Sequence, residues 1–238
     1  MLKCDFHMHT NLIQKNEGNY SPHVLVDALV RQKFDVAAIT EHASIRLGGK
    51  LRQFPQALKT YHSIKAYAKR KGLLLLPGFE KHIEGKEVVV LNYLGDLTRI
   101  NTFADLERIK ADGAFFFAPH PFYYLPTNLG DTLLNHLDLI DAIEYSHYYT
   151  SFFNPNRKAV QVATHFRKPL LGNSDAHRLV QLGTTFSFVD AERTPETILE
   201  AIRRHRLKID THPLPLPLFA RLTSMLVYGK LKKILGVV

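Results

Sequence analysis

Two histidines, His7 and His9, stand one residue apart near the start of the chain, in the segment DFHMHT, and Asp5 precedes them. The residues before them, LKCDF, have the pattern of a short buried strand. Successive side chains of a strand point to opposite faces, so the two imidazoles share one face, together with Asp5 if the strand continues. Burying such polar groups without partners is unfavourable. The pattern therefore indicates either a functional site, such as a set of metal ligands, or a polar strand end in water.

Acidic residues and histidines also follow most of the other apolar segments that have the pattern of buried strands. Scattered surface side chains would not favour strand ends in this way. Imidazoles and carboxylates together suit divalent transition metals, and a carboxylate such as Glu80 can bridge two ions. The residues are Glu41 and His42 after DVAAIT, Glu80 in GLLLLPGFE, His120 in GAFFFAPH, Glu144 and His147 in LIDAIEYSH, and Asp175 and His177 in PLLGNSDAH.

Amphipathic stretches alternate with these apolar segments, which indicates an α/β domain. Three of them begin with a capping side chain followed by proline, at Ser21-Pro22, Asn154-Pro155 and Thr194-Pro195, as helices often do. With about seven or eight βα units and no glycine-rich dinucleotide fingerprint, a mainly parallel barrel is favoured over an open sheet. The strand ends of such a barrel meet at one rim, so the candidate ligands are expected to converge there.

The composition fits a soluble globular domain: 238 residues, 45% of them hydrophobic and 22% charged. One cysteine, Cys4, excludes an internal disulfide and fits a reducing compartment. The chain shows no signal-peptide pattern and no apolar run of the roughly 18 residues that a spanning helix needs, so we expect a cytoplasmic location.

The net charge of +9 favours anionic partners, such as phosphorylated metabolites, nucleic acid or an anionic membrane surface. We divide the chain into an α/β domain, residues 1–212, and a basic amphipathic tail, residues 213–238. The tail is interpreted as a final helix packed on the domain or, alternatively, as a helix that contacts an anionic membrane or a partner. Its basic residues, with no acidic ones among them, are Arg221, Lys230, Lys232 and Lys233.

In order and spacing, DFHMHT, AITEH, PGFE, APHPF and GNSDAH resemble the PHP (polymerase and histidinol phosphatase) superfamily. The resemblance covers Leu2 to about Phe188. It implies a distorted, TIM-like (β/α)7 barrel that binds two or three divalent ions, such as Mn²⁺, Zn²⁺ or Fe²⁺, and hydrolyses phosphoesters. The ligands implied by it are His7, His9, Glu80 and Asp175 for one ion, Glu80, His120 and Glu144 for a second, and His42 and His177 for a third.

Three features depart from the usual motifs of this family. Glu41 stands where the family usually has aspartate in a T-D-H motif, and we interpret it as a residue that orients a ligand. After an insertion, Glu17 in EGNYSP is the candidate for the family's third-metal aspartate; the alternative is a solvated loop acid. Either Glu144 or His147 is the ligand at its strand end, with Glu144 favoured.

The predicted function is hydrolysis of a small phosphomonoester or nucleotide by a metal-bridged hydroxide. Arg178 and Arg157 are candidates for binding the substrate phosphate, and His177 is a candidate proton donor to the leaving alcohol. The alternatives are a 5′-to-3′ exonuclease on short oligonucleotides and a non-catalytic PHP module that binds a partner or membrane through its basic tail.

Overall fold

The computed structural model describes residues 1–14, 18–47 and 50–234. The strands in this part of the chain are β1 (Leu2–Asp5), β2 (Val36–Ile39), β3 (Ser44–Leu47), β4 (Lys50–Gln53), β5 (Leu74–Ile83), β6 (Lys86–Leu91), β7 (Phe115–Ala118), β8 (Ala142–Ser146), β9 (Leu170–Asn173), β10 (Thr185–Val189) and β11 (Leu207–Thr211). The helices are α1 (Pro22–Arg31), α2 (Lys59–Arg70), α3 (Phe103–Lys110), α4 (Asn156–His165), α5 (Pro195–Arg203) and α6 (Leu216–Ile234), with short 3₁₀ turns at Leu97–Arg99, Gly130–His136 and Leu179–Gln181.

Nine strands form one sheet in the order β11-β10-β1-β2-β5-β6-β7-β8-β9, and β3 and β4 form a separate hairpin. At one edge of the sheet, β9 approaches β10 and the end of β1 near the other edge. The backbone N–H of Gly172 in β9 donates to Ser187 Oγ of β10 at 2.9 Å, and the N–H of Phe6 donates to Asn173 Oδ1 at 3.0 Å. The sheet is therefore a nearly closed barrel, and the predicted distorted TIM-like fold is confirmed.

Strand direction explains the distortion of the barrel. The pairs β1–β2, β2–β5, β7–β8 and β8–β9 are parallel, whereas β5–β6, β6–β7, β1–β10 and β10–β11 are antiparallel. The strand β6, in the segment EVVVLNYL, is therefore the second strand of a hairpin with β5. The turn between them consists of Glu84 and Gly85, whose φ angles of 51° and 84° are those that a tight two-residue hairpin turn requires. The strands β1, β2, β5, β7, β8 and β9 all run in one direction.

The helix starts follow the sequence pattern at two of the three proline sites. Ser21 accepts a hydrogen bond from Val24 N, and Thr194 accepts one from Thr197 N, which caps α1 and α5. At the third site the helix begins later than expected. Pro155 itself is the residue that precedes α4, and Asn154 Oδ1 accepts from Asn156 N at 3.0 Å.

Alternating side chains divide the core between the barrel interior and the helix-covered outside. Val36 and Ala38 of β2 lie inside with Phe115 and Phe117 of β7 and with the buried face of α5. The intervening residues Ala37 and Ile39 pack outside, against α1 and α2. Because α5 contributes to the interior cluster, the apolar side chains fill one end of the barrel and leave the other end for polar groups.

The beginning of α6 packs on the barrel. Leu222 is buried, and the Thr223 hydroxyl forms a hydrogen bond with the hydroxyl of Tyr148, beyond β8. Met225 and Tyr228 are exposed. Within residues 1–14, 18–47 and 50–234, no helix is both long enough and apolar enough to cross a lipid bilayer.

Candidate metal centre

The candidate ligands converge at the polar end of the barrel because their strands point the same way. On β5, Leu76 lies in the interior apolar cluster, and Glu80 follows it on the same face. Glu144 occupies the corresponding position on β8, two residues after the interior Ala142. The remaining candidates come just after their strands, where the chain turns over the rim: His7, His9, His42, His120, His147, Asp175 and His177.

Three overlapping groups of side chains bring ligand atoms close enough to hold an ion, with all atoms of a group within 4.8 Å of one another. His7, His9 and Glu80 each belong to two of the groups, so the groups adjoin. Their members are among the ligands that the family resemblance implied, and Glu80 is shared by two of the groups. The groups are His7, His9 and Asp175; His7, Glu80 and His120; and His9, His42 and Glu80.

Glu80 lies at the centre of these imidazoles and is 1% exposed. Its Oε2 lies 3.1 Å from His42 Nε2, 3.4 Å from His7 Nε2 and 3.5 Å from His9 Nε2. Its Oε1 is 3.7 Å from His120 Nε2. Burial raises the pKa of Glu80, but the surrounding histidines, His42 and His7 above all, outweigh burial and lower it, so the carboxylate is ionised.

Asp175 lies on the other side of the cluster from Glu80. Its Oδ1 lies 3.3 Å from His9 Nε2, 3.4 Å from His177 Nε2 and 3.5 Å from His7 Nε2. Burial raises the pKa of Asp175 and the charge of His7 lowers it, with a net decrease. Asp175 and His120 both have positive φ, 43° and 28°, a backbone conformation uncommon outside glycine and often found at functional sites.

The chemistry of the cluster fits a divalent metal. Nδ1 of His9 and Oε1 of Glu80 are buried without a hydrogen-bond partner among the described residues, a costly arrangement unless a ligand is present. Burial lowers the pKa of His9 to about 4, so its imidazole is neutral, as metal binding requires. A neutral imidazole such as that of His9, combined with the ionised carboxylates of Glu80 and Asp175, suits a first-row transition ion.

Glu144, the favoured ligand of its strand, belongs to none of the three groups. Its Oε1 lies 2.9 Å from His7 Nδ1 and accepts a hydrogen bond from Asn173 Nδ2 at 3.0 Å. Its Oε2 accepts from the backbone N–H of His120 at 2.7 Å. The carboxylate therefore orients two candidate ligands from behind, as outer carboxylates do in metal sites.

His147, the alternative to Glu144, is 2% exposed. Its Nε2 accepts from Gln181 Nε2 at 2.8 Å, and Gln181 Oε1 accepts from the backbone N–H of His177 at 3.1 Å. His147 Nδ1 is buried without a hydrogen-bond partner in the described part of the chain. Burial lowers the pKa of His147 to about 4; the charge of Asp175 opposes this decrease and that of His177 adds to it.

Several residues that organise the centre were not singled out from the sequence. Asn173 joins β9 to Phe6 N and to Glu144, and Gln181 joins His147 to the loop after Asp175. Two acids that the sequence did single out also lie here. The Asp5 carboxylate accepts from backbone groups and not from imidazoles: its Oδ1 accepts from the N–H of His7 at 3.3 Å and from that of Ser174 at 3.2 Å. Glu41 accepts from the hydroxyls of Thr10 and Thr60.

The other predicted site residues lie beside the three groups. His177 is in none of them, and its ring stacks on that of His9 with centroids 4.4 Å apart. Arg178 Nη1 donates to the carbonyl of His177 at 2.9 Å. Arg157, near the start of α4, lines a cavity of about 620 Å³ with Lys158. Glu17 lies outside the described residues.

The chain resembles known proteins in part of its sequence and in its fold. A family model described as PHP-associated matches residues 153–207. A comparison with curated protein sequences found no match. Among solved structures, the chain is similar to a two-domain protein from Bacteroides vulgatus containing a predicted PHP-like metal-dependent phosphoesterase, with a TM-score of 0.68 and 24% identity over 89% of this chain. The alignment covers 65% of the Bacteroides chain.

Two further structures share the fold. PsfC from Pseudomonas syringae aligns over 97% of this chain and 98% of its own, with a TM-score of 0.59 and 18% identity. A lesion-specific endonuclease from Pyrococcus furiosus aligns over 93% of this chain and 66% of its own, with a TM-score of 0.54 and 14% identity. The chain therefore shares its fold with a PHP-like protein, as the sequence motifs predicted, and a PHP-associated family model matches residues 153–207 of it.

Proposed function

We propose that this protein is a metal-dependent phosphoesterase that hydrolyses a small phosphomonoester or a nucleotide. The observation that carries the proposal is the buried cluster of three overlapping ligand groups at the barrel rim. Adjacent groups that share Glu80 suit two or three neighbouring ions, as a displacement at phosphorus uses. The related PHP-like structures support hydrolysis of phosphoesters in general.

The chain's own residues would hold and orient this chemistry. His7, His9, His42, His120, Glu80 and Asp175 would hold divalent ions, which supply Lewis-acid polarisation and a water of lowered pKa when bound. Glu144 would keep His7 in the tautomer that leaves Nε2 free to act as a ligand, since His7 Nδ1 faces the carboxylate at 2.9 Å. Arg157 and Arg178, which line two different cavities, would bind anionic parts of the substrate.

His177 is the proposed proton donor to the leaving alcohol. Its side chain is 26% exposed, and its Nε2 lies 3.4 Å from Asp175 Oδ1. A carboxylate at this distance can orient the imidazole. The ring thus combines access to the substrate with a charged partner that orients it.

Metal content and phosphate release test the proposal together. Protein purified without chelator should contain two or three ions per chain, a stoichiometry that follows the family resemblance, and release phosphate from an aryl phosphate when manganese is added. His9→Ala and Asp175→Ala should each lower kcat/KM by more than about 100-fold, because loss of a ligand exceeds the usual effect of an outer partner. His62→Ala, at an exposed position of α2, is the matched control.

The results separate the alternatives. Absence of bound metal would overturn the catalytic proposal. Bound metal without turnover of aryl phosphates, nucleotides and oligonucleotides alike would instead favour a non-catalytic PHP module.

A leaving-group comparison tests the role of His177. With p-nitrophenyl phosphate the leaving group needs no proton, whereas an alkyl phosphate releases a strongly basic alkoxide. His177→Ala should therefore lower kcat for the alkyl phosphate by about 100-fold more than for the aryl phosphate. Equal losses on both substrates, or loss of bound metal, would show that His177 serves as a ligand instead.

A short oligonucleotide is the second candidate substrate, favoured by a row of aromatic rings beside the rim. The row begins at the candidate ligand His120 and ends at an exposed ring on which a base can stack. Tyr124, at this end, is 85% exposed, and Phe152, next to Phe153 in the chain, is 86% exposed. One structural neighbour is named as an endonuclease. Successive ring centroids in the row His120, Tyr123, Tyr148, Phe219, Phe153 and Tyr124 are 6.2, 6.4, 4.7, 6.0 and 6.3 Å apart.

Turnover of single-stranded oligonucleotides distinguishes the two substrates. If bases stack on the exposed rings, Tyr124→Ala and Phe152→Ala should raise KM for a short oligonucleotide by about tenfold each and leave KM for an aryl phosphate unchanged. Phe166→Ala, an exposed ring at the end of α4, is the control. Unchanged KM values in all variants would exclude this platform.

A further inference from the structure

A second cavity lies beside the metal centre, between the loop after β1, the loop after β9 and helix α6. Its volume is about 530 Å³. The loop after β1 contributes Asn11 and Asn19, α6 contributes Arg221 and Leu222, and the loop after β9 contributes Arg178. The tail helix is therefore part of the surface around the candidate centre.

The cavity adjoins the ligand-bearing loops directly. Arg178 follows the candidate proton donor His177 in sequence, and Nη1 of its guanidinium donates to the His177 carbonyl. The backbone N–H of Asn19 donates to the same carbonyl at 3.2 Å. Tyr20 Oη, also in the wall, donates to Ala176 O at 2.7 Å. A molecule in the cavity would thus lie next to the His9–His177 side of the metal centre.

The described lining of the cavity carries positive charge. Arg178 and Arg221 both line it, and no aspartate or glutamate does so among the described residues. Neither guanidinium forms an ion pair within residues 1–14, 18–47 and 50–234. Two cations facing one cavity repel each other, and an anion between them removes that repulsion and gains charge-assisted hydrogen bonds.

Apolar side chains form another part of the wall. Leu218, Leu222 and Met225 of α6 line the cavity together with Leu179. Burial of Leu222, 5% exposed, anchors the helix so that Arg221 is presented at a defined position. The lining therefore suits an organic group that carries an anion, rather than an inorganic ion alone.

We propose that Arg178 and Arg221 form a second anion subsite that binds a phosphate or carboxylate of the substrate remote from the scissile phosphate. This inference rests on the proposed phosphoesterase function and names its substrate class: phosphoesters with two separated anionic groups joined by an apolar or planar body. Helix α6 then acts as a specificity element of the barrel.

Matched substrates test the subsite. Alkyl monophosphates are compared with α,ω-alkanediol bisphosphates of the same and increasing chain length, which maps the spacing between the two anions. At the best spacing, the wild-type KM should be about tenfold lower for the bisphosphate. Arg221→Gln should abolish this difference and leave KM for the monophosphate unchanged. Arg206→Gln, an exposed arginine outside the cavity, is the matched control and should behave as wild type.

A binding measurement separates this inference from the proposed function. Alkane disulfonates of the same lengths are not hydrolysed, and their binding to the protein as purified can be followed by calorimetry. Wild type and Arg206→Gln should bind with equal Kd, and Arg221→Gln and Arg178→Gln about tenfold more weakly. Such a pattern without any phosphoester turnover would support the subsite and refute the phosphoesterase. Turnover without preference for bisphosphates, or no disulfonate binding by wild type, would overturn the subsite.

Discussion

Single residues of the centre are held by contacts on the side away from the candidate ions. His7 Nδ1 meets Glu144, whose other oxygen accepts from the backbone of His120. Gln181 connects His147 to the backbone of His177. Such outer contacts fix ring orientation and tautomer before any ion binds, which lowers the cost of assembling the site.

Glu144 and His147 should respond differently to substitution. Glu144→Gln should leave the number of bound ions unchanged and weaken their affinity about 10- to 100-fold, as loss of an outer partner usually does. His147→Ala should remove one ion per chain if its unpartnered Nδ1 is a ligand. Metal analysis combined with chelator competition measures both effects. Loss of an ion in Glu144→Gln alone would restore Glu144 as the ligand.

Lys81 lies next to Glu80 but on the outer face of β5. Its Nζ donates to Gln53 Oε1 at 2.8 Å and to Leu97 O at 2.7 Å. These contacts join the β3–β4 hairpin to the barrel wall, and the residue is 1% exposed. Burial lowers the pKa of Lys81 from 10.5 to about 8.

Stability should therefore depend on pH through Lys81. Between about pH 8 and 10.5 the unfolded chain binds more protons at this residue than the folded chain, so the free energy of unfolding rises with pH in that window. Relative to Lys81→Met, wild type should gain up to about 2 kcal/mol between pH 8 and pH 10. Urea unfolding at both pH values measures this, with Lys65→Met as the exposed control. Parallel behaviour of Lys81→Met and wild type would contradict the shift.

Among the elements, the seam where β9 meets β10 and β11 closes the barrel. Ser187 Oγ of β10 accepts from Gly172 N at 2.9 Å and donates to Gly172 O at 3.0 Å. A Cβ at Gly172 would lie 2.7 Å from Ile209 Cγ2 and 2.9 Å from Phe186 O. The close approach of the strands therefore requires glycine at this position.

Gly172→Ala should destabilise the fold by about 1–3 kcal/mol, because the added methyl group overpacks the seam. The next residues along the chain lead to Asp175, so the variant should also lower metal affinity. Ala66→Ser, which adds one atom at an exposed position of α2, should change stability by less than about 0.5 kcal/mol. Chemical denaturation compares the two, and a neutral Gly172→Ala would show that the seam can relax.

For the molecule as a whole, one end of the barrel is apolar and the other holds buried ionisable groups. Such a polar end is unfavourable without compensation, and bound ions would supply it. Any ion that binds only the folded chain stabilises it in proportion to RT ln(1 + [L]/Kd). Stability of the entire barrel should thus depend on metal.

Chelator treatment should lower the melting temperature. At a free ion concentration about 100 times Kd, bound metal contributes about 2.7 kcal/mol, which corresponds to roughly 5–10 °C for a chain of this size. The shift should reverse on adding manganese or zinc, and it should be smaller in His9→Ala. Calorimetry or dye-based melting records it. Identical melting curves with and without chelator would argue against metal binding by the folded protein.

The sequence by itself predicted the fold class and the residue types of the centre. Alternating side chains and strand-helix periodicity are local properties, and they place His7, Glu80, His120 and Asp175 at the ends of strands. The rim then follows from geometry, because strands that run in one direction end on one side of a barrel. Within the described residues, the structure brings these four side chains together.

Only the tertiary structure decided which residues contact one another and which lie outside the three ligand groups. The antiparallel β6, the position of Glu144 behind His7 and the cavity shared by Arg178 and Arg221 all depend on contacts between distant segments. Sequence spacing carries no information on which atom of a carboxylate meets which imidazole. Those distances result from the close packing of the whole barrel, which depends on every strand and on the tail helix.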